Sequence, residues 1–266
     1  MMRLVLTYHS SRLEAPNREA CDLFALERDL VVLADEGVPV VSLDALLDNP
    51  LSDGVAVTID DGVRMDWESC THSRLGALPS VREIVESGRD MHPDMVVSCF
   101  VIACPIARAQ IAETIEQDYG PELLHDRWWG GAASSGFMTI ENHSNDHNHP
   151  DVARTAQRNN RKGSFLFIET EAEAEAEIAR ASDTIATRCG VRPRYFAYPF
   201  GDVPRYVSGD WLPRRGEALG LRAAFTTEAR ALSHDDDRWA LPRFVSGRDW
   251  TTDTGLRSLL RDCRRA

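Results

Sequence analysis

The chain is expected to fold as a single α/β domain, strands alternating with helices and closed into a barrel, and three observations predict it. Short apolar, β-branched runs recur along the whole length, and between most of them lies a stretch with apolar residues at helical spacing. Such alternation implies parallel strands, and this many repeats of it suggest closure. A length of 266 residues suits one α/β barrel, and a hydrophobic content of 43% can fill its core. No internal repeat or low-complexity linker divides the sequence, so residues 1–266 are read as one domain.

Leu4 to Tyr8 is the first strand and ends on His9. Leu23 to Glu36 carries a helical apolar stripe, with Gly37 where a glycine closes a helix. Val38 to Val41 is a second strand, Ser42 caps a short helix running through Leu47, and Val55 to Ile59 is a buried strand. Residues 64 to 94 hold a helix near Val81 to Glu86 inside an elaborated connection rich in glycine and proline. Met95 to Ile102 is the next strand, and Pro105 opens a helix that ends near Gly120. Phe137 to Glu141 is followed by a polar loop, Asn142 to Asp151, loaded with histidines. Glu169 to Arg188 alternates Glu with Ala before Ile178, Ala181 and Ile185 form a stripe, so its acids read as a solvated helix face. Strands at Tyr195 to Tyr198, Ala223 to Thr226 and Leu241 to Phe244, with helices near Arg214 to Leu219 and Thr254 to Arg264, complete the pattern.

Charge narrows the function. With 42 acidic against 30 basic residues the net charge is −12, which repels phosphate backbones and anionic lipid, so neither nucleic acid nor a membrane is an expected partner. The start, Met1-Met2-Arg3 followed by a short apolar run, lacks the pattern of a signal peptide, and no stretch is long enough to span a membrane. Six scattered cysteines without a C-x-x-C pair indicate neither a disulfide framework nor a zinc knuckle, and a cytoplasmic location fits them best.

Two stretches carry chemistry. Val55-Ala56-Val57-Thr58-Ile59 halts on Asp60-Asp61-Gly62, and both acids can serve one pocket only if the backbone turns there, which Gly62 makes easy. An acid held by a metal stays ionised while its neighbour accepts a proton; the same Asp-Gly signal also ends ordinary hairpins. In His143-Ser144-Asn145-Asp146-His147-Asn148-His149-Pro150, His143 and His147 are spaced to converge on one ion if the segment turns helically. Two imidazoles and a carboxylate leave positions open for water and substrate, as in a catalytic metal site, although histidine-rich loops also occur without metal. His149 is a weaker alternative ligand to His147.

The order T-I-D-D-G, then H-S-x-x-H, then Phe196-Ala197-Tyr198-Pro199-Phe200-Gly201 resembles the polysaccharide deacetylases of the NodB-homology, or carbohydrate esterase family 4, type. The resemblance implies an irregular (β/α) barrel with seven strands. It implies Asp60 as catalytic base, and Asp61, His143 and His147 as ligands of one divalent metal ion. Zinc suits that ligand set, and cobalt, nickel or iron can occupy it. It also implies that the backbone N–H of Phe200, following Pro199, helps hold an oxyanion. Two departures stand out. Ala197 occupies the place where many members carry an arginine that pairs with the base, and Arg243, at a predicted strand end, is the candidate replacement. The usual C-terminal L-x-x-H is missing, since no histidine follows His234; Leu6-Thr7-Tyr8-His9 has that pattern at the N-terminus, resembling deacetylases in which the element has moved by circular permutation. In a closed sheet the first and last strands are neighbours, so His9 can reach the same pocket as general acid.

The expected function is therefore metal-dependent removal of an N-acetyl group from an amino sugar or polysaccharide. One alternative keeps fold and metal but acts on a non-sugar C–N bond in a ureide, formamide or other small amide. Another is a catalytically silent carbohydrate-binding barrel, which would need neither Asp60 nor His9. Trp128, Trp129, Trp211 and Trp250 are the residues expected to line the substrate site.

Overall fold

Parallel strands dominate the computed structural model, which describes residues 2–13, 20–49, 51, 53–120, 122–157 and 160–265. Among the described residues ten strands form: β1 (Arg3–Tyr8), β2 (Val40–Val41), β3 (Gly54–Ile59), β4 (Cys70–His72), β5 (Gly76–Leu78), β6 (Val97–Val101), β7 (Met138–Asn142), β8 (Tyr195–Ala197), β9 (Ala223–Phe225) and β10 (Phe244–Val245). Seven of them follow one another in the order β10-β1-β3-β6-β7-β8-β9, all parallel, as the resemblance implies. The irregularity lies at β3, whose first half pairs with β2 and whose last two residues pair with β6 along the same strand.

One short segment touches both ends of this curl. Leu241 bridges to Phe225 of β9, while Phe244 and Val245 pair with Leu6 and Thr7 of β1. The expected strand at Leu241–Phe244 is thus split between two neighbours, and Arg243 lies in the seam, fully buried.

Every residue of β1, β3 and β6 is buried, as parallel strands covered on both faces require. Alternation decides which face each meets. Val5, Ala56 and Phe100 pack with Ala197, Ala223 and Phe225 inside the barrel, whereas Leu4, Leu6, Val55 and Val57 pack outward under the helices. Thr7 and Thr58 continue the inner set and share a 2.8 Å hydroxyl hydrogen bond. Continuing that phase by two residues brings His9 and Asp60 to the C-terminal mouth, where barrels of parallel strands keep their chemistry.

The helices follow the sequence signals closely. Asp22–Asp35 ends before Gly37, whose φ of +64° closes it; Ser42 caps Leu43–Asp48 by accepting from the Ala45 N–H; Pro105–Tyr119 starts at its proline; Asp253–Arg265 is the last. Within residues 64–94 the helix is Val81–Gly88, capped by Ser80 and Glu83, and the connection also contains the antiparallel β4–β5 hairpin.

Two expectations fail. Trp128, Trp129, Trp211 and Trp250 are all buried in the core, and none is among the residues lining the cleft around His9 and Asp60; Trp250 stands edge-on to Tyr8 and donates its indole N–H to Asp29. The acids of the 169–188 helix are not uniformly solvated either. The helix runs as Glu171–Ala174, a π-turn at Glu175–Ala179 and Arg180–Cys189, and the wider turn shifts the register of the side chains that follow. Glu173 is buried because it caps the helix start, and Glu177 is fully buried against the histidine loop.

Candidate active site

Asp60 and Asp61 leave β3 in different directions because the backbone turns between them. Asp61 takes a φ of +79°, costly for a non-glycine residue, and Gly62 follows at +72°. A Cβ on Gly62 would sit 2.6 Å from the Val101 side chain, so only glycine fits this close approach. Asp60, in phase with Thr58, therefore points into the barrel and Asp61 toward the histidine loop.

Asp60 is almost wholly buried and meets Arg243 in a two-pronged ion pair, with guanidinium nitrogens 2.8 and 2.9 Å from its two carboxylate oxygens. Arg243 is held in turn by the Thr226 carbonyl at 3.0 Å and the Thr58 hydroxyl at 3.2 Å, so the fork cannot swing away. Burial alone would push the Asp60 carboxyl up, but the Arg243 charge and the nearby imidazoles hold it below the usual carboxylate range, hence ionised. Arg243 is thus in direct contact with Asp60.

The histidine loop is held by side-chain hydrogen bonds. Ser144, His147 and Asn148 all have positive φ, and side-chain hydrogen bonds compensate: Asn142 accepts from the Ser144 N–H, and the Ser144 hydroxyl from the His147 N–H, both at 2.8 Å. Asn142 also donates to the Ile178 carbonyl and the Ser182 hydroxyl, tying the loop to the π-turned helix. Asp146 accepts from the Asn148 and Ala156 N–H groups and its own N–H points at Glu177.

Glu177 carries a prediction. Its burial, and next the neighbouring Asp146 carboxylate, push its carboxyl well above the ordinary glutamate value. A group so raised contributes stability that is complete below its unfolded pKa and is lost as pH rises toward the folded one. Glu177→Gln keeps the shape and a donor for Asp146 but cannot ionise. Denaturant midpoints of variant and wild type are expected to lie closest in acid, with the variant pulling ahead as pH rises through neutrality. A variant that falls behind at neutral pH would contradict the assignment.

Asp61, His143 and His147 come together: one potential ligand atom from each lies within 4.8 Å of the others, with the two imidazole Nε2 atoms 3.7 and 3.9 Å from Asp61 Oδ1. His143 Nδ1 lies 2.9 Å from the Ala197 carbonyl, so this nitrogen donates and leaves the Nε2 lone pair free for an ion. Burial, followed by the neighbouring His143, lowers the His147 pKa well below the ordinary value, which keeps the ring neutral as a ligand must be. The donor set fits a divalent transition metal. His149 lies outside this group; its ring stands 5.8 Å from that of His147 and its Nδ1 faces Asp151 at 3.7 Å.

His9, Asp60, Asp61, His143, His147 and Phe200 line one cleft of about 240 Å³. His9 is partly buried, and its backbone N–H is anchored 2.8 Å from Asp22 Oδ2. The same carboxylate accepts from Arg12 and from Ser246 at the end of β10, so the two chain ends are tied at the mouth. Phe200 has φ +60°, and its half-exposed ring packs edge-on to His147 at 4.5 Å. Gly201 follows at +74°, where a Cβ would strike the Thr227 hydroxyl. Tyr198, Thr227, Val245 and Arg248 complete the lining. Thr227 and Arg248 belong to no motif, and nothing in the sequence marks them. His234 is highly exposed on a polar loop and does not line the cleft.

Residues 129–214 match the family model described as polysaccharide deacetylase. The matched stretch holds His143, His147 and the Pro199–Gly201 turn; His9, Asp60, Asp61 and Arg243 lie outside it. No curated protein matches the chain by sequence. Among solved structures, the deacetylase PplD of Streptococcus pyogenes, determined with acetate, is similar at 15% identity and a TM-score of 0.65, covering 98% of each chain. IcaB of Ammonifex degensii is similar at 20% identity and 0.64, covering 96% of each. A de-N-acetylase of Aggregatibacter actinomycetemcomitans is similar at 15% and 0.64, covering 96% of this chain and 98% of that one. At these identities the likeness establishes the fold, and the stretch matched by the family model covers two of the three motifs, His143–His147 and the Pro199–Gly201 turn.

Proposed function

We propose that the protein is a metal-dependent hydrolase that removes N-acetyl groups from an amino sugar or polysaccharide. The observation that carries this reading is the convergence, in one cleft, of an arginine-held carboxylate with a separate carboxylate–imidazole–imidazole set. Asp61, His143 and His147 would hold the ion, which when bound supplies Lewis-acid polarisation of the amide carbonyl and a more acidic water. Zinc is the ion we favour for one carboxylate and two imidazoles.

The remaining work falls to the protein's own groups. Asp60, ionised and fixed by Arg243, takes the proton of the attacking water. The Phe200 N–H, presented by the positive-φ turn after Pro199, stabilises the charge that develops on the carbonyl oxygen. His9 protonates the departing amine; its backbone N–H, anchored on Asp22, keeps it at the mouth. Six unpaired thiols support a reducing, cytoplasmic setting, and no helix among the described residues is long and apolar enough to cross a membrane. The test is a screen of the zinc-loaded protein for acetate release from chitin oligomers, peptidoglycan fragments and small N-acetyl sugars, with ureides alongside. Turnover of ureides without any acetate release would overturn the deacetylase reading, and no turnover anywhere would favour a silent barrel.

The role of His9 has its own test. His9→Ala is expected to keep metal and to lower kcat on an acetamide with a poor leaving amine by about 10²–10⁴-fold, while an activated ester, whose leaving group hardly needs a proton, suffers far less. Equal losses on both substrates would remove His9 from the acid role.

A further inference from the structure

One buried carboxylate outside every motif gathers the main chain at the mouth of the barrel. Asp22 opens the Asp22–Asp35 helix, and its side chain is fully buried. It is not among the residues lining the cleft. Its two oxygens have separate duties. Oδ2 accepts from the His9 backbone N–H at 2.8 Å, while Oδ1 accepts from Arg12 Nε at 2.9 Å, Arg12 Nη2 at 2.6 Å and the Ser246 hydroxyl at 2.7 Å. The Arg12 N–H returns to the His9 carbonyl at 2.8 Å. Gly247, at φ +82°, passes so close that a Cβ there would lie 2.1 Å from the Arg12 guanidinium. The end of β1, the turn after it and the end of β10 are therefore fastened to one acid.

Resting on the reading of His9 as general acid, we propose that Asp22 is a positioning residue of the reaction, setting where the His9 imidazole meets the departing amine. Proton transfer requires that imidazole within hydrogen-bond reach of the nitrogen, and a displacement of about 1 Å from such geometry can cost about 10²-fold in rate. The sheet does not supply the placement. Its register along β1 ends where Tyr8 pairs with Ile59, so the next N–H, that of His9, goes to Asp22 instead of a neighbouring strand. A carboxylate is the stronger acceptor for it, because charge shortens and strengthens such a bond. The division of labour between the two oxygens also separates positioning from mere support. In Asp22→Asn the one remaining oxygen is drawn to Arg12 and Ser246, where several donors converge, and the amide nitrogen then faces the His9 N–H, donor against donor. That exchange releases His9 while the ties to Arg12 and Ser246 persist.

The test pairs kinetics with hydrogen exchange on the zinc-loaded protein. Asp22→Asn is expected to keep its metal and to lower kcat by about 10–100-fold on an N-acetyl substrate with a poor leaving amine, while KM and the turnover of an activated ester stay within about threefold. The loss should run through His9, so adding Asp22→Asn to His9→Ala is expected to cost less than about twofold more on the amide. Independently of activity, the His9 backbone N–H should exchange with solvent faster in Asp22→Asn than in the wild type. Ser246→Ala, which removes a donor from Oδ1 alone, should change neither that exchange nor the ratio of amide to ester turnover. Asp22→Glu keeps the charge but moves the acceptor, and takes the place of the asparagine variant, with the same expected signature, if that variant does not fold. Equal losses on amide and ester, a full further loss in the double variant, or unaltered His9 exchange would overturn the proposal. A wild type that turns over no amide would reject the hydrolase reading and the acid role with it, even where His9 exchange changes as expected.

Discussion

Asp60→Asn is expected to keep its metal and lose most hydrolysis, by about 10²–10⁴-fold, because it removes the proton acceptor and leaves the ligand set intact. Asp61→Asn should behave differently and weaken metal binding itself. The backbone supports the asymmetry: the turn at Asp61, φ +79°, sends one carboxylate to Arg243 and the other to His143 and His147. Metal content and kcat measured on both variants separate the roles. Equal loss of metal in the two would contradict the division of labour, and full turnover in Asp60→Asn would place the base elsewhere.

Arg243→Ala is expected to cost stability as well as activity. The side chain is fully buried and holds Asp60, the Thr226 carbonyl and the Thr58 hydroxyl, so its removal strands a buried carboxylate and destabilises the fold by about 3–5 kcal/mol. Arg243→Lys should recover little, since an ammonium cannot span both carboxylate oxygens and both neutral acceptors at once. Denaturant unfolding with kcat on the same samples is the measurement. A lysine variant with wild-type stability and turnover would show that charge alone suffices.

Much of this arrangement was legible in the sequence because periodicity and chemistry coincide there. The buried run before Asp60, the capping residues Ser42 and Gly37 and the proline at 105 report local conformation, and local signals survive folding. Arg243 was readable only as the replacement for an arginine missing at Ala197; the seam that delivers it depends on a segment pairing with both ends of the sheet, a long-range fact. The tryptophans misled because large aromatics fill cores as readily as they line clefts, and side-chain type does not say which. Glu177 was hidden by the π-turn: on a regular helix its Glu-Ala neighbourhood looks solvated, and one wider turn accompanies its burial against Asp146.

Asp61, His143 and His147 are proposed to hold one catalytic metal ion. Elemental analysis of the purified protein, beside a variant carrying both His143→Ala and His147→Ala, tests it most directly. About one divalent transition-metal ion per chain is expected in the wild type and almost none in the double variant; full occupancy in the double variant would contradict a single site at these residues.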